Sequence, residues 1–166
     1  MPNGYISVGS NIGRDKNIPA GLRALEHQFG KLTVSSIYES EPVGFTGDSF
    51  YNLVVGFNSK SNVKEVAKQL RQIEWDNGRP GDSQKFSART LDLDLILYDD
   101  LILDDGQLRI PRDEIERYAF VLEPLAEIAP TLKHPVSGAS YAELWEKFDK
   151  ANLKQKRVMP VWAYWQ

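Results

Sequence analysis

The chain predicts an α+β fold, a sandwich of the ferredoxin-like kind in which helices pack on a central, mainly antiparallel sheet. Three observations predict it. Short apolar, β-branched or alternating runs occur near residues 5–8, 32–38, 50–57 and 91–97. Apolar residues recur at helical spacing between the first and second runs and again between the third and fourth. The resulting order is strand, helix, strand, strand, helix, strand. With 166 residues, 42% of them hydrophobic, one domain over 1–166 is long enough to bury a real core.

Tyr5-Ile6-Ser7-Val8 reads as the first strand and runs into Gly9-Ser10-Asn11-Ile12-Gly13, a tight strand-to-helix turn that matches neither phosphate-loop fingerprint. The helix after it has Pro19 early, Ile18, Leu22, Leu25 and Phe29 on one face, and Gly30 as its stop. Leu32 to Tyr38 reads as the second strand. The polar stretch from Glu39 to Ser49 is too long for a tight hairpin and reads as a binding loop. Phe50 opens the third strand, which continues through Phe57. If Phe50 and Asn52 share a face, they present an aromatic plate beside an amide with donor and acceptor, suited to a flat heterocycle; a core Phe and a turn-capping Asn are the plainer alternative.

The second helix begins at Asn62, with Glu65 as capping-box partner and Val63, Val66, Ala67, Leu70 and Ile73 as its buried stripe, and ends near Gly78. Arg79 to Ala88 lacks apolar periodicity and reads as a mobile loop placed where a lid could close. Leu101-Ile102-Leu103 and Leu108-Arg109-Ile110 flank a hairpin turn, and Pro111 closes it. Asp113 and Glu116 cap a short helix; Pro124 breaks the helical turns at 119–122 and 125–128. Ser140 and Glu143 cap a last helix. The basic stretch from Lys147 to Arg157 reads as a solvated helix face and tail, and the aromatic tail at about 158–166 as a segment that packs on the domain or on a partner.

The chemistry concentrates in Arg89-Thr90-Leu91-Asp92-Leu93-Asp94-Leu95-Ile96-Leu97. In a regular strand Leu91, Leu93, Leu95 and Leu97 face one way and Asp92 and Asp94 the other. Two like charges side by side repel unless a cation lies between them, and hard divalent ions are commonly held by one or two carboxylates together with substrate phosphates. A solvated face carrying two ordinary acids is the alternative. Arg89 adds a charge suited to phosphate oxygens.

Composition narrows the function. The absence of cysteine removes thiolate nucleophiles, disulfides and zinc-thiolate sites, so catalysis must use oxygen and nitrogen groups. A net charge of -3, and no aromatic signature of an RNA-recognition module, argue against nucleic acid as partner. No apolar run reaches membrane-spanning length, the start lacks a signal peptide, and the expectation is a cytoplasmic monomer acting on small molecules. His27 and His134 read as surface or packing residues.

Gly9-Ser10-Asn11, Glu41-Pro42-Val43-Gly44, Phe50-Tyr51-Asn52, Gly78-Arg79, Arg89-Thr90-Leu91-Asp92-Leu93-Asp94, Ala119-Phe120-Val121-Leu122 and Pro124-Leu125-Ala126-Glu127-Ile128-Ala129-Pro130 together resemble the 6-hydroxymethyl-7,8-dihydropterin pyrophosphokinases, from Tyr5 to about Pro135. Those folate-pathway enzymes move pyrophosphate from ATP to a pterin hydroxymethyl group and release AMP. The resemblance implies that Asp92 and Asp94 bind two magnesium ions bridging the ATP phosphates, with Asp94 also assisting proton removal. It implies that Asn52 bonds the pterin, that Phe50 and Phe120 sandwich its ring, and that Ser40 and Val43 contact its polar edge. Glu74, Arg79 and Arg89 fall on the nucleotide side, the two arginines neutralising phosphate charge. Three positions depart from the family: Phe86 stands where a tryptophan usually closes over the pterin, Arg112 replaces a histidine that reaches the phosphates, and Tyr118 replaces an arginine, leaving Arg117 as the candidate substitute. A pterin-binding paralogue with weak or altered pyrophosphokinase activity is the alternative implied by these changes.

Overall fold

The computed structural model describes residues 3–42, 46–78 and 90–165, with the side chains of 164 and 165 left aside. The strands are β1 (Asn3–Ser10), β2 (Thr33–Val34), β3 (Ile37–Ser40), β4 (Phe50–Asn58), β5 (Asp92–Tyr98), β6 (Leu103–Asp104), β7 (Arg109–Ile110) and β8 (Lys156–Val158). The helices are α1 (Arg14–Phe29), α2 (Val63–Asp76), α3 (Glu114–Arg117), α4 (Ala119–Ile128) and α5 (Tyr141–Lys147), with a 3-10 turn at Val161–Trp165. The main sheet runs β5-β1-β4-β3-β8, with β2 also on β4, and its pairings are antiparallel. The first four of these neighbours, with α1 and α2, make the ferredoxin-like arrangement the sequence predicts.

Alternation along the strands loads the two sheet faces differently. Ile6 and Val8 of β1, Leu53, Val55 and Phe57 of β4, and Leu93 and Leu95 of β5 join Ile18, Leu22, Leu25, Val66, Leu70 and Ile73 in a core under α1 and α2. On the other face Val54, Ile96 and Leu97 pack with Val121, Leu122 and Leu125 of α4 and Tyr141 of α5. Among the described residues the second face carries Ser7, Asn52, Asp92 and Asp94 between its apolar positions, and the candidate site residues lie there.

Local signals place the helix ends. Asn62 Oδ1 accepts from Glu65 N at 2.9 Å, and Ser140 Oγ accepts from Glu143 N at 3.2 Å. Gly13 starts α1 at φ 55, a left-handed conformation that favours glycine.

Several expectations change. Leu97 does not face the way of Leu91, Leu93 and Leu95: the register of β1 against β5 shifts between Tyr5 and Ile6, one extra β5 residue is accommodated there, and Leu97 turns to the α4 face. The predicted strand at 32–38 is interrupted, because Ser35 Oγ takes the Val54 N–H at 2.9 Å. Pro124 lies inside a continuous α4 rather than breaking it, and Asp113 makes no side-chain cap on α3. The basic stretch at 147–157 is not simply a solvated face: it leads into β8, which pairs with β3. The aromatic tail folds onto its own domain, with Trp162 Nε1 donating to Asp15 Oδ1 at 2.9 Å. His27 is exposed and His134 is buried, its Nε2 3.1 Å from Glu116.

Leu53 is fully buried between β1 and the helices. Leu53→Ala is expected to lower stability by about 2–5 kcal/mol, read from urea unfolding curves.

Candidate active site

β5 is the edge of the main sheet, so half its backbone groups point away from β1. Two of these meet residues already singled out in the sequence. Leu93 N donates to Glu74 Oε2 at 2.7 Å, and Glu74, at the end of α2, is itself buried. Ile96 O accepts from Arg112 N at 3.0 Å. The strand carrying the two carboxylates is thereby fixed from its open side by an acid and an arginine.

Asp92 and Asp94 are half-buried and share a face, as the alternation predicts. Arg112 stands in their field. Burial works against its charge, but the bond to Glu114 and the charges of Asp94, Glu114 and Asp92 outweigh that and hold its pKa above the ordinary value. Glu114 receives both Arg112 Nε, at 3.1 Å, and Arg112 Nη2, which orients the guanidinium.

The register sets what lies beside the carboxylates. Asp92 is opposite Gly9, Gly9 is opposite Asn52, and Asn52 is opposite Tyr38, so the four occupy one row across the sheet. Strands lie about 4.8 Å apart, which separates Asp92 from Asn52 by about 10 Å of backbone. Ser7, opposite Asp94, and Gly9 give that interval a low floor. A Cβ at Gly9 would lie 2.9 Å from Asn52 Oδ1 and 3.7 Å from Phe50 Cδ1. The Phe50 and Asn52 side chains therefore do share a face, and both reach over β1 because residue 9 has no side chain. Asn52 is buried, and its Nδ2 donates to Ser40 Oγ at 2.8 Å, which fixes the amide.

Phe120 projects from the first turn of α4 and stacks on Tyr118, ring centroids 5.0 Å apart. With Ser40, Glu41 and Pro42 it lines a cavity of about 450 Å³, whose walls do not include Phe50 or Asn52. Arg117 is on the rim of that cavity, 3.5 Å from Asp113 and well exposed, apart from the Asp92–Arg112 cluster. The expectations at Val43, Arg79, Phe86 and Arg89 lie outside the described residues.

Some contributors escape sequence reasoning. Arg14 bonds Ser49 O at 3.1 Å, pairs with Glu39 at 2.8 Å and lies 3.9 Å over the Tyr51 ring, bracing the start of β4 just before Asn52. Nothing local to Arg14 signals this. Gly9 could have been found, because a glycine inside a strand often marks close approach of another group.

The family model for 7,8-dihydro-6-hydroxymethylpterin-pyrophosphokinase matches residues 5–130, which include every part of this arrangement. The chain belongs to that family. It is 35% identical over 139 residues to the 2-amino-4-hydroxy-6-hydroxymethyldihydropteridine pyrophosphokinase of Bacillus subtilis, covering 81% of this chain and 83% of the relative. The enzyme of the same name from Pseudomonas aeruginosa is 34% identical over 135 residues, covering 79% and 83%. The folic acid synthesis protein fol1 of Pneumocystis carinii is 35% identical over 155 residues, 90% of this chain but only 20% of that longer protein. Among solved structures, a Plasmodium falciparum HPPK-DHPS variant crystallised with pterin superposes with a TM-score of 0.73 at 14% identity, over 94% of this chain and 47% of that one. At that identity the likeness concerns the fold.

Gly9→Ala is expected to displace the Asn52 amide, break its bond to Ser40 and cost about 1–3 kcal/mol. The shift of the Asn52 side-chain amide resonance and an unfolding curve would measure it; an unmoved resonance would contradict the close packing at Gly9.

Proposed function

We propose that this chain is an ATP-dependent pyrophosphokinase that converts 6-hydroxymethyl-7,8-dihydropterin to its diphosphate and releases AMP, a step of folate biosynthesis. The observation that carries the reading is the Asp92–Gly9–Asn52 row: paired acids and a fixed amide on one sheet face, with Gly9 opening the interval between them. In the transfer the hydroxymethyl oxygen bonds the β-phosphorus of ATP, the bond from that phosphorus to the oxygen of the α-phosphate breaks, and AMP leaves. Phosphoryl-type transfer needs alignment and charge neutralisation more than a covalent nucleophile, which suits a cysteine-free chain.

Asn52 takes the pterin. Its Nδ2 is engaged by Ser40 Oγ, which leaves Oδ1 turned toward β1 as the acceptor for donor groups on the heterocycle edge. Phe50, over the same glycine, supplies a ring face, and Phe120 the opposing one. On the nucleotide side Arg112, oriented by Glu114, places a permanent positive charge in the field of the carboxylates; Arg79 and Arg89 are assigned to the same phosphates by the family resemblance alone. Glu74 acts on this side through the backbone, holding β5 at Leu93. Arg117 is kept on the nucleotide side by the family resemblance alone, since it lines the Phe120 cavity rather than the carboxylate cluster.

The donor set fits magnesium. Two half-buried carboxylates share one face, and such a pair can supply two oxygen ligands with water and phosphate in the other positions, as hard divalent ions commonly accept. When bound, two such ions offset phosphate charge and acidify the attacking hydroxyl. Asp94 assists removal of that hydroxyl proton. No described helix is long and apolar enough to cross a membrane; the proposed enzyme is read as a cytoplasmic monomer.

A coupled assay should show AMP release from ATP and the hydroxymethylpterin only with magnesium; AMP release that ignores magnesium would overturn the metal assignment. Asp94→Ala is expected to bind pterin normally by calorimetry while losing at least roughly a hundredfold in turnover. Asn52→Ala should show the complementary pattern, with pterin affinity weakened roughly tenfold or more and affinity for a non-hydrolysable ATP analogue retained.

A further inference from the structure

Phe120 sits on a turn that its own helix holds poorly. Tyr118, at the N-cap of α4, makes no side-chain capping bond. Pro124, inside α4, lacks the N–H that would bond the carbonyl four residues earlier, which is that of Phe120. The first turn therefore misses both a cap and an internal bond.

Gln155 supplies a hold from outside. Its Nε2 donates to Ala119 O at 3.1 Å and to Glu123 Oε1 at 2.7 Å, bridging the residues on either side of the weak turn. Two residues on, in β8, Arg157 Nη2 donates to Tyr38 Oη at 3.1 Å and stands 3.8 Å from Glu127 Oε1, near the other end of α4. Glu127 in turn accepts from Tyr38 Oη at 2.6 Å and from Ser36 N and Oγ at 2.9 Å. Residues two apart in an extended chain point the same way, so one short segment grips both ends of one helix. The same segment closes the cavity behind Phe120 with Leu153, Lys154 and Gln155. The gripping segment, residues 153–157, lies beyond residue 130, where the family match ends, while the residues it holds lie within it.

We propose that Gln155 is a positioning residue for pterin recognition: it holds the first turn of α4 so that Phe120 faces the heterocycle. The inference rests on the reading of Phe120 as one of the two pterin plates. It assigns Gln155 no contact with the substrate and no part in nucleotide binding.

Gln155→Glu tests it, since the shape is kept while the donor becomes an acceptor facing Ala119 O and the Glu123 carboxylate. Calorimetry with 6-hydroxymethylpterin and, separately, a non-hydrolysable ATP analogue with magnesium reads the two sites. The expected result is pterin affinity weakened about fivefold or more, the worth of one hydrogen bond, with nucleotide affinity changed less than about twofold. Adding Glu123→Gln returns a donor to the pair and should recover part of the pterin affinity. Unchanged pterin affinity in Gln155→Glu overturns the proposal, as does an equal loss at both sites. Should the added charge unfold the chain, Gln155→Leu serves with the same criteria. A wild-type chain that fails to bind pterin overturns the proposed function itself, whereas a Phe120→Ala variant that binds pterin normally overturns only the role of Phe120 and of its hold.

Discussion

The structure depends on how an edge strand carries two acids on one face. A strand with two like charges and an open side is unstable in isolation, because the charges repel and the outward backbone groups lack partners. Here each difficulty is met by a named residue. Glu74 takes the Leu93 N–H, Arg112 N occupies the Ile96 carbonyl, and the Arg112 guanidinium brings positive charge to Asp92 and Asp94. The arginine is itself tied to Glu114. The groups that make β5 a tolerable edge are thus the same groups to which the proposed function gives the nucleotide side.

Next to that edge, β1 contributes by having little side chain. Gly9 and Ser7 keep the middle of the sheet face low, so Asn52 and Phe50 from β4 can lean across toward the acids of β5. Ser40 on β3 braces Asn52 on that surface, and Arg14 on α1 holds the start of β4 from the opposite face through Ser49 O and the Tyr51 ring. The opposite face of these strands is conventional core under α1 and α2, which gives the site a rigid base.

α4 covers the same sheet face and lacks both a side-chain N-cap and, at Pro124, one internal backbone bond. Its amphipathic side packs on Val54 and Ile96, yet the turn with Phe120 depends on Gln155, and Glu127 near the far end depends on Ser36 and Tyr38. Burial, and then the Glu127 bond and charge, push the Tyr38 hydroxyl pKa up, so it stays protonated and able to donate. β8 therefore links the outer edge of the sheet to the helix over the site.

By itself the sequence determined the fold class, the alternation that puts Asp92 and Asp94 together, the shared face of Phe50 and Asn52 as a conditional, and the family, because each rests on residues close in the chain and on periods of 2 and 3.6. The cap residues Asn62 and Ser140 were legible for the same reason. Tertiary structure decided the rest. The bulge that turns Leu97 to the α4 face depends on the register against β1, which no residue in 91–97 encodes alone. Pro124 is tolerated inside α4 in a helix packed along β4 and held from outside at both ends. The strand hidden in the basic stretch before Val158 forms only because β3 leaves an edge for it to pair with. The partners named here for Glu74, Arg14 and Gln155 are between 19 and 37 residues away in sequence, a separation at which local pattern carries no information about contact.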